Sequence, residues 1–592
     1  MAIPQPASVR ISRARINFLL LICCVVAALC SSQLFRIQVV RQSELARLAQ
    51  EEIEREDILL PRRGTIRDSQ GTVLAMNADL DSLWVTPRLI QDPEKLSLVL
   101  GPLLNKSVEE IYAGLTSQRR YLRLVRWLNP EVSEKIRALE EPGLHLVPEP
   151  KRVYPLNTFA AQIVGVTNWD GEGISGVEAS NNAMLKGEAG VLRAERDPAR
   201  RPLAIGPRFL QPPRDGANLT LTIDPTVQKI VEEELKAGIE RNNASGGTIV
   251  VMDPQTGAIL GMASWPLFDP NRYQDYPPEV YNRNPAIAEL YEPGSTFKIV
   301  TIAAGLDSGA FTVDTLVNDT GTILRYGHAL HNWDSGANGM IPPEKVLYYS
   351  SNVGALQFAE MIGPDRFYDY VRRFGYGEPT GVDLAGEQAG LVQWPDQEGW
   401  SPLVLDTNAY GQGISVTPLQ HLRAISAIAN GGQLMQPYTV KEWCYEEVCH
   451  EIKPRVIRRV VRQETTDLIR PMLVKSANTY ARLMWLNQCG MVDVPLVPGY
   501  EVAAKTGTSQ IPDARGGYET SATIGSVAGF APAKNPRIAV LVKFDRPKDI
   551  YGVLTAIPVY QSVMARLLMY YRVPPDPALV ADCQRASVGQ GE

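Results

Sequence analysis

Residues 16–30 read INFLLLICCVVAALC, an apolar run that SSQLF extends to Phe35. About 20 such residues cross a hydrocarbon core of ≈ 30 Å as a helix, so this segment ties the chain to a membrane before any other feature is read. Arg10, Arg13 and Arg15 precede it, and Glu44 is the sole acidic residue among the first fifty. By the positive-inside rule the tail at 1–15 stays in the cytoplasm, and everything after an anchor at 16–37 is exported. A cleaved signal peptide is the rival reading. Its apolar region would be long, the small-x-small pattern near Ala28–Cys30 is weak, and Leu29 occupies the position before Cys30 where a lipoprotein site usually has Gly or Ala. The expectation is an uncleaved anchor.

The chain has 592 residues, which implies several domains, since single cores rarely grow past roughly 250–300 residues. A net charge of −6 argues against nucleic acid as a partner. Two basic clusters, RAERDPARR (193–201) and RVIRRVVR (455–462), are interrupted by acidic or apolar residues and read as solvated faces or strand edges. Of the seven cysteines, Cys23, Cys24 and Cys30 lie within the apolar run. Cys444, Cys449, Cys489 and Cys583 would lie outside the membrane, where disulfides persist. Cys444 and Cys449 bracket a short turn between β-rich runs, so a bridge across a hairpin is one possibility, though spacing alone does not give connectivity.

After the anchor, SELARLAQEEIERED (43–57) has the composition of a charged helical stalk. PRRGTIRDSQGTVLAMN (61–77) reads as strand, turn, strand, with the turn at Asp68–Gly71. From 78 to 150 short helical patterns alternate with Pro-bearing loops, and residues 170–176 are dense in glycine. Composition shifts near 212, where a strand leads into an amphipathic helix with Val227, Ile230, Val231 and Leu235 on one face. The expected division is therefore a first extracytoplasmic domain at 38–215, a second at 216–573, and a flexible tail at 574–592. The second domain has a hairpin signal at each end, at 246–266 and 526–547, with helices and loops between. Hairpins at both ends can pair into one antiparallel sheet flanked by helices, which makes the fold α+β and multidomain.

The chemistry centres on LYEPGSTFKIV (290–300). Ser295 and Lys298 are three apart, on one face of a helix that the apolar STFKIVTIAAGLDSG continues to Gly309. Taken alone, the pattern equally suits a helix start with a surface lysine. An apolar flank would bury Lys298, and burial lowers a lysine pKa, so Lys298 could take the Ser295 proton as a general base. The five histidines show no serine-hydrolase arrangement and no G-x-S-x-G elbow is present. Two further fragments follow in order. YYSSNVGALQFA (348–359) offers Ser350 and Asn352, and EVAAKTGTSQ (501–510) places Lys505, Thr506, Gly507 and Thr508 on a β-prone segment. Asn352 can orient Lys298 or a substrate amide, Ser350 can relay a proton, and Lys505 adds a second charge that depresses Lys298. The hydroxyls of Thr506 and Thr508 suit a carboxylate, and Gly507 lets a substrate backbone approach. Each fragment alone is weak, but the ordered triple is strong.

The triple SxxK, SxN, KTG resembles that of the penicillin-recognising serine enzymes. EPGSTFK, SSNVG, YGQGISVTPLQ (410–420) and AAKTGT are similar to the class B penicillin-binding proteins, most of all their division-specific FtsI-type branch. RRGTIRDSQGTVLA and RVYP…GVTNWDGEGISGVE resemble the N-terminal pedestal of that class, so the likeness runs from the anchor to about residue 573. The DSQG turn and the segment around Cys444–Cys449 depart from the pattern.

The resemblance implies an elongated α+β pedestal at 38–215 and a penicillin-binding transpeptidase domain at 216–573. It implies a peptidoglycan D,D-transpeptidase in which Ser295 attacks a D-Ala-D-Ala stem peptide, the amine of a neighbouring stem peptide resolves the acyl-enzyme, and β-lactams imitate the donor. Backbone N–H groups of Ser295 and Thr508 would form the oxyanion hole. No metal or organic cofactor is called for. The implied partners are the inner membrane, a glycan polymerase of FtsW type and division proteins, with the catalytic domain in the periplasm. Elongation-specific transpeptidases and a penicillin-binding sensor or scaffold are the alternatives. A β-lactamase fits the anchor and pedestal poorly, and 38–212 is too short for a second, glycan-polymerising domain. Arg63, Arg152 and Glu178 are expected to form a structural ion-pair network, the alternative being a partner-binding surface. His331 and Trp333 in HALHNWD are expected to pack a loop rather than border the cleft.

Overall fold

The computed structural model describes residues 13–45, 54–195, 208–485, 494–513 and 517–580. The first twelve residues, the stalk at 46–53, the second half of the cluster at 193–201, Cys489, Cys583 and the end of the tail lie outside the described residues. The chain divides into two compact units, residues 1–61 with 188–214, and residues 62–187 with 215–592.

The first unit begins with the helix Arg13–Phe35, which runs on through a π-helical turn at Arg36–Val40. None of its residues is buried in the protein, and Phe18, Leu20, Val25 and Leu29 are all exposed on it. A helix that is apolar all round and uncovered by protein has lipid as its natural solvent. Strands Glu54–Leu59, Gly190–Glu195 and Arg208–Gln211 complete the unit as an antiparallel sheet. Residues 54–57, expected to end a helical stalk, are thus a strand, paired from Glu54↔Glu195 to Leu59↔Gly190. Backbone pairing with a partner far along the chain overrides the helical preference of Glu and Arg.

Among the described residues the second unit holds two large sheets and four two-stranded ones. One large sheet is mixed. Ile66–Arg67 pairs antiparallel with Val73–Val85 across the expected turn, where Asp68 Oδ1 accepts from the amides of Gln70 and Thr72. Val73–Val85 continues antiparallel to Leu144–Val153, in register from Met76↔Val153 to Val85↔Leu144. The strand expected after the turn thus runs on to Val85, and its partner Leu144–Val153 lies where short helical patterns and Pro-bearing loops were expected. Leu144–Val153 carries Pro148 and Pro150 and pairs on one edge only, where a missing N–H is tolerated. Asn218–Leu221 lies parallel to Ile66–Arg67 and antiparallel to Val440–Tyr445. The hairpin of Val440–Tyr445 and Val448–Glu451 carries a disulfide joining Cys444 to Cys449. Beneath this sheet Glu178 bridges two arginines, at 2.6 Å from Arg63 Nε and 2.6 Å from Arg152 Nε, with all three side chains buried. This is the expected ion-pair network.

The other large sheet carries the candidate site. Its strands are β1 (Gly246–Met252), β2 (Ile259–Trp265), β3 (Ala503–Pro512), β4 (Tyr518–Ala531) and β5 (Ile538–Asp545), ordered β2-β1-β5-β4-β3 and all antiparallel. The two terminal hairpins therefore meet at β1 and β5, as the sequence suggested. Period-2 alternation explains why VIVV-like runs appear here: Ile249, Val251, Val540 and Val542 face one core, while Val250, Met252 and Leu541 face another. The first core is completed by Val227, Ile230, Val231 and Leu235 of the helix α1 (Pro225–Asn242). Asp224 caps α1 by accepting from the amides of Thr226 and Val227. The second core is formed with α2 (Lys298–Ser308), α3 (Pro343–Tyr349), α4 (Asn352–Ile362) and α5 (Pro418–Ala429). Two more helices matter below, α6 (Gln463–Trp485), which packs along β3, and α7 (Gly552–Tyr570). α7 is long and apolar enough to span a bilayer, but over half of its apolar window is buried against the sheet, so it is a core helix.

Candidate active site

Pro293-Gly294 ends the loop before a 3-10 turn, Gly294–Phe297, which runs directly into α2. Gly294 has φ +55°, and a Cβ there would lie 2.8 Å from the Thr508 carbonyl oxygen, so glycine lets the turn sit against β3. Ser295 and Lys298 project from this junction with Ser295 Oγ and Lys298 Nζ 2.8 Å apart. The SxN fragment lies where α3 gives way to α4. Ser350 takes a left-handed conformation (φ +59°), and the next residue, Ser351, caps α4 by accepting from the Gly354 amide. This reversal points the Ser350 carbonyl at Lys298 Nζ (2.6 Å), with the Ser350 hydroxyl at 3.3 Å and Asn352 Oδ1 at 2.7 Å. Lys505 reaches in from β3 to the Ser350 hydroxyl (3.0 Å). Five of the predicted residues thus converge on one point.

The surroundings of Lys298 favour its neutral form. Lys298 is fully buried. As a neutral amine its two N–H groups donate to the Ser350 carbonyl and Asn352 Oδ1, which leaves its lone pair for the Ser295 hydroxyl proton. Burial, followed by the charge of Lys505, holds Lys298 well below the ordinary lysine range, and Asp319 works weakly the other way. A neutral Lys298 in this position can accept the Ser295 proton without a histidine.

The substrate-binding predictions divide. Thr508 is exposed, and its hydroxyl accepts from the Gly552 amide (3.0 Å). Thr506 is buried, with its amide donating to the Tyr480 hydroxyl. At Gly507 the geometry supplies a reason other than substrate approach: a Cβ would lie 2.6 Å from both the Pro293 carbonyl and Ser526 Oγ, so glycine is needed to seat the serine turn.

Four contributors escaped the sequence reading. Tyr480 on α6 places its hydroxyl 2.8 Å from Lys505 Nζ. Asn332, the neighbour of two residues that were singled out, accepts from the amides of Asn352 (2.8 Å) and Val353 (3.1 Å) and donates to Asp319 (2.7 Å). Asp319 also accepts from the Gly321 and Asn338 nitrogens, so it anchors the start of α4. His421 on α5 reaches Thr296, beside the nucleophile. The HNWD segment corrects one expectation. His331 does serve the loop, bonding Thr322 through its ring and accepting from Asn352 Nδ2 through its carbonyl (2.8 Å). Trp333 does not pack a loop interior: it is 62% exposed and stands edge-on to Tyr551, the residue before Gly552, on the rim beside Thr508. The packing role belongs to Asn332, whose short amide satisfies the buried polar groups.

A serine and lysine on one helical turn, joined by a second lysine from the edge of an antiparallel sheet, define a penicillin-recognising serine acyl-transfer enzyme. Comparison with known proteins narrows this. Residues 247–565 match the family described as penicillin binding protein transpeptidase domain, and residues 58–221 match the penicillin-binding protein dimerisation domain. The chain is 34% identical to stage V sporulation protein D of Bacillus subtilis, covering 95% of this chain and 86% of that protein. It is 30% identical to the peptidoglycan D,D-transpeptidase FtsI of Escherichia coli, covering 90% and 87%. Among solved structures, penicillin binding protein 3 of Mycobacterium tuberculosis complexed with aztreonam superposes with a TM-score of 0.67 at 28% identity, covering 88% of this chain and 99% of that one. The chain belongs to the class B penicillin-binding proteins and is a serine-type transpeptidase, and its N-terminal apolar helix suits membrane anchoring.

Proposed function

We propose that the chain cross-links peptidoglycan stem peptides through an acyl-enzyme on Ser295. The observation that carries this is the buried Lys298 amine, 2.8 Å from Ser295 Oγ and braced by the Ser350 carbonyl and Asn352 Oδ1. Ser295 Oγ attacks the penultimate D-Ala carbonyl as its proton passes to Lys298. The backbone N–H groups of Ser295 and Thr508 receive the developing oxyanion, a role supported by the close approach of Gly294 to Thr508. The C–N bond then breaks as the Ser350 hydroxyl, set between the two lysines, passes its proton to the departing D-Ala amine and is reprotonated by Lys298, which becomes neutral again. The amine of a neighbouring stem peptide attacks the Ser295 ester, its surplus proton passes to Lys298, and Lys298 returns that proton to Ser295 Oγ as the ester C–O bond breaks. Thr506 and Thr508 hold the donor carboxylate, while Lys505 supplies positive charge throughout. A β-lactam enters the same first step, but its leaving amine stays tethered, which blocks the acceptor.

The domain reading accompanies this proposal: a cytoplasmic tail at 1–15, an anchor at 16–37, a pedestal at 38–215, the transpeptidase domain at 216–573 and a tail at 574–592. Likeness to FtsI supports a septal role in the inner membrane, with the catalytic domain in the periplasm beside a glycan polymerase of FtsW type and division proteins.

Membranes containing the full chain are incubated with a fluorescent penicillin. Covalent label on the wild type and none on Ser295→Ala is expected; label on both variants would refute the Ser295 assignment. New D,D-cross-links in muropeptides separate a transpeptidase from a sensor that acylates without turnover.

A further inference from the structure

Tyr480 lies on α6, buried where that helix runs along β3. Its hydroxyl meets Lys505 Nζ at 2.8 Å, the Thr506 amide at 3.3 Å and Ser476 Oγ at 3.1 Å. The direction of each bond is fixed. An ammonium and an amide can only donate, so the phenol oxygen accepts from both. Its own proton goes to Ser476 Oγ, whose proton in turn goes to the Leu347 carbonyl on α3 (3.3 Å). Lys505 is equally determined, because its three N–H groups have three acceptors: the Tyr480 hydroxyl, Ser350 Oγ at 3.0 Å and the Thr506 carbonyl at 3.2 Å. No spare acceptor remains to replace the phenol.

We propose that Tyr480 is a positioning residue for acyl transfer: its phenol oxygen holds the Lys505 ammonium against Ser350, fixing a positive charge beside Lys298. This rests on the reading of Lys298 as the base of Ser295. The phenol is polarised for the task. Burial pushes it up, but the Lys505 charge, with the bonds from Lys505 and the Thr506 amide, works against burial, and the phenol lies below the usual tyrosine value. The other charged group acting on this pair is Asp319, from the strand Val317–Asp319, while Ser350 and Asn352 face it as neutral partners. Tyr480 thus acts on the reaction through Lys505, and its effect should appear in the pH dependence as well as the rate.

The test measures the second-order rate of acylation by fluorescent penicillin from pH 5 to pH 11, on the full chain in detergent. Tyr480→Phe keeps the ring and removes the acceptor. Its maximal rate should fall about 10- to 100-fold, the range for losing one bond to a charged group. The acid limb should move to higher pH, because a Lys505 no longer held against Ser350 depresses Lys298 less. Site-specific 3-fluorotyrosine at 480 keeps the packing and weakens the acceptor, so a smaller shift in the same direction is expected even if the Phe variant unfolds. An unchanged rate, or a fall equal at every pH, would overturn the proposal. If the wild type itself shows no Ser295-dependent acylation, the parent reading fails instead, and the two failures are distinct.

Discussion

His421 offers a measurable link between burial and pH. It lies on α5 with no exposed surface, its Nε2 2.8 Å from Thr296 Oγ1 and its Nδ1 2.9 Å from the Tyr376 hydroxyl. Thr296 donates its own proton to the Pro293 carbonyl (2.7 Å), so it must accept from Nε2–H. Nδ1 is then the acceptor for Tyr376, and a second proton would meet a donor instead of a lone pair. Burial accordingly lowers the His421 pKa to about 3. An unfolded histidine titrates near 6.5, so the folded value is depressed. Such a group contributes stability above the unfolded value, and that contribution is lost as pH falls towards the folded one. Between pH 7 and pH 5 the unfolded chain gains a proton that the folded chain refuses, which removes about 2 kcal/mol. His421→Gln retains one donor and one acceptor but cannot titrate, so its stability should lack this component. The assay is urea unfolding of both proteins at the two pH values, taking the difference of differences so that other groups cancel. Equal sensitivity of wild type and His421→Gln to the pH change would refute both the tautomer and the burial argument.

Glu178→Ala leaves Arg63 and Arg152 buried without their shared anion and should cost about 3–5 kcal/mol, read as a lowered unfolding midpoint. A change below about 1 kcal/mol would mean that the triad is hydrated. Gly507→Ala places a methyl 2.6 Å from the Pro293 carbonyl and should slow penicillin acylation at least about tenfold while the far-UV circular dichroism is retained. A normal acylation rate would show that the serine turn tolerates displacement from β3.

What could be read in advance depended on how local the physics was. Ser295 and Lys298 share one helical turn, so their spacing already contains their geometry, and the SxN and KTG fragments each carry their groups within three residues. Tyr480 has no such neighbour: α6 presents it to β3 only because Ala477 and Ala481 pack inward on the same stretch, and nothing in ANTYARL distinguishes a phenol that meets Lys505 from one that fills a core. Asn332 was hidden for a related reason. His331 and Trp333 are the chemically prominent letters of HNWD, yet the short amide between them is the group that can serve buried amides and Asp319 at once. Residues 54–57 and 144–153 failed at a different level, since pairing between distant segments, not composition, makes them strands. The histidines carry the subtlest lesson. Excluding histidine as the base led to Lys298, but it did not exclude histidine from the site: His421 is too deeply buried to exchange protons near neutral pH, and that same inertness lets it hold the turn bearing Ser295 in one conformation.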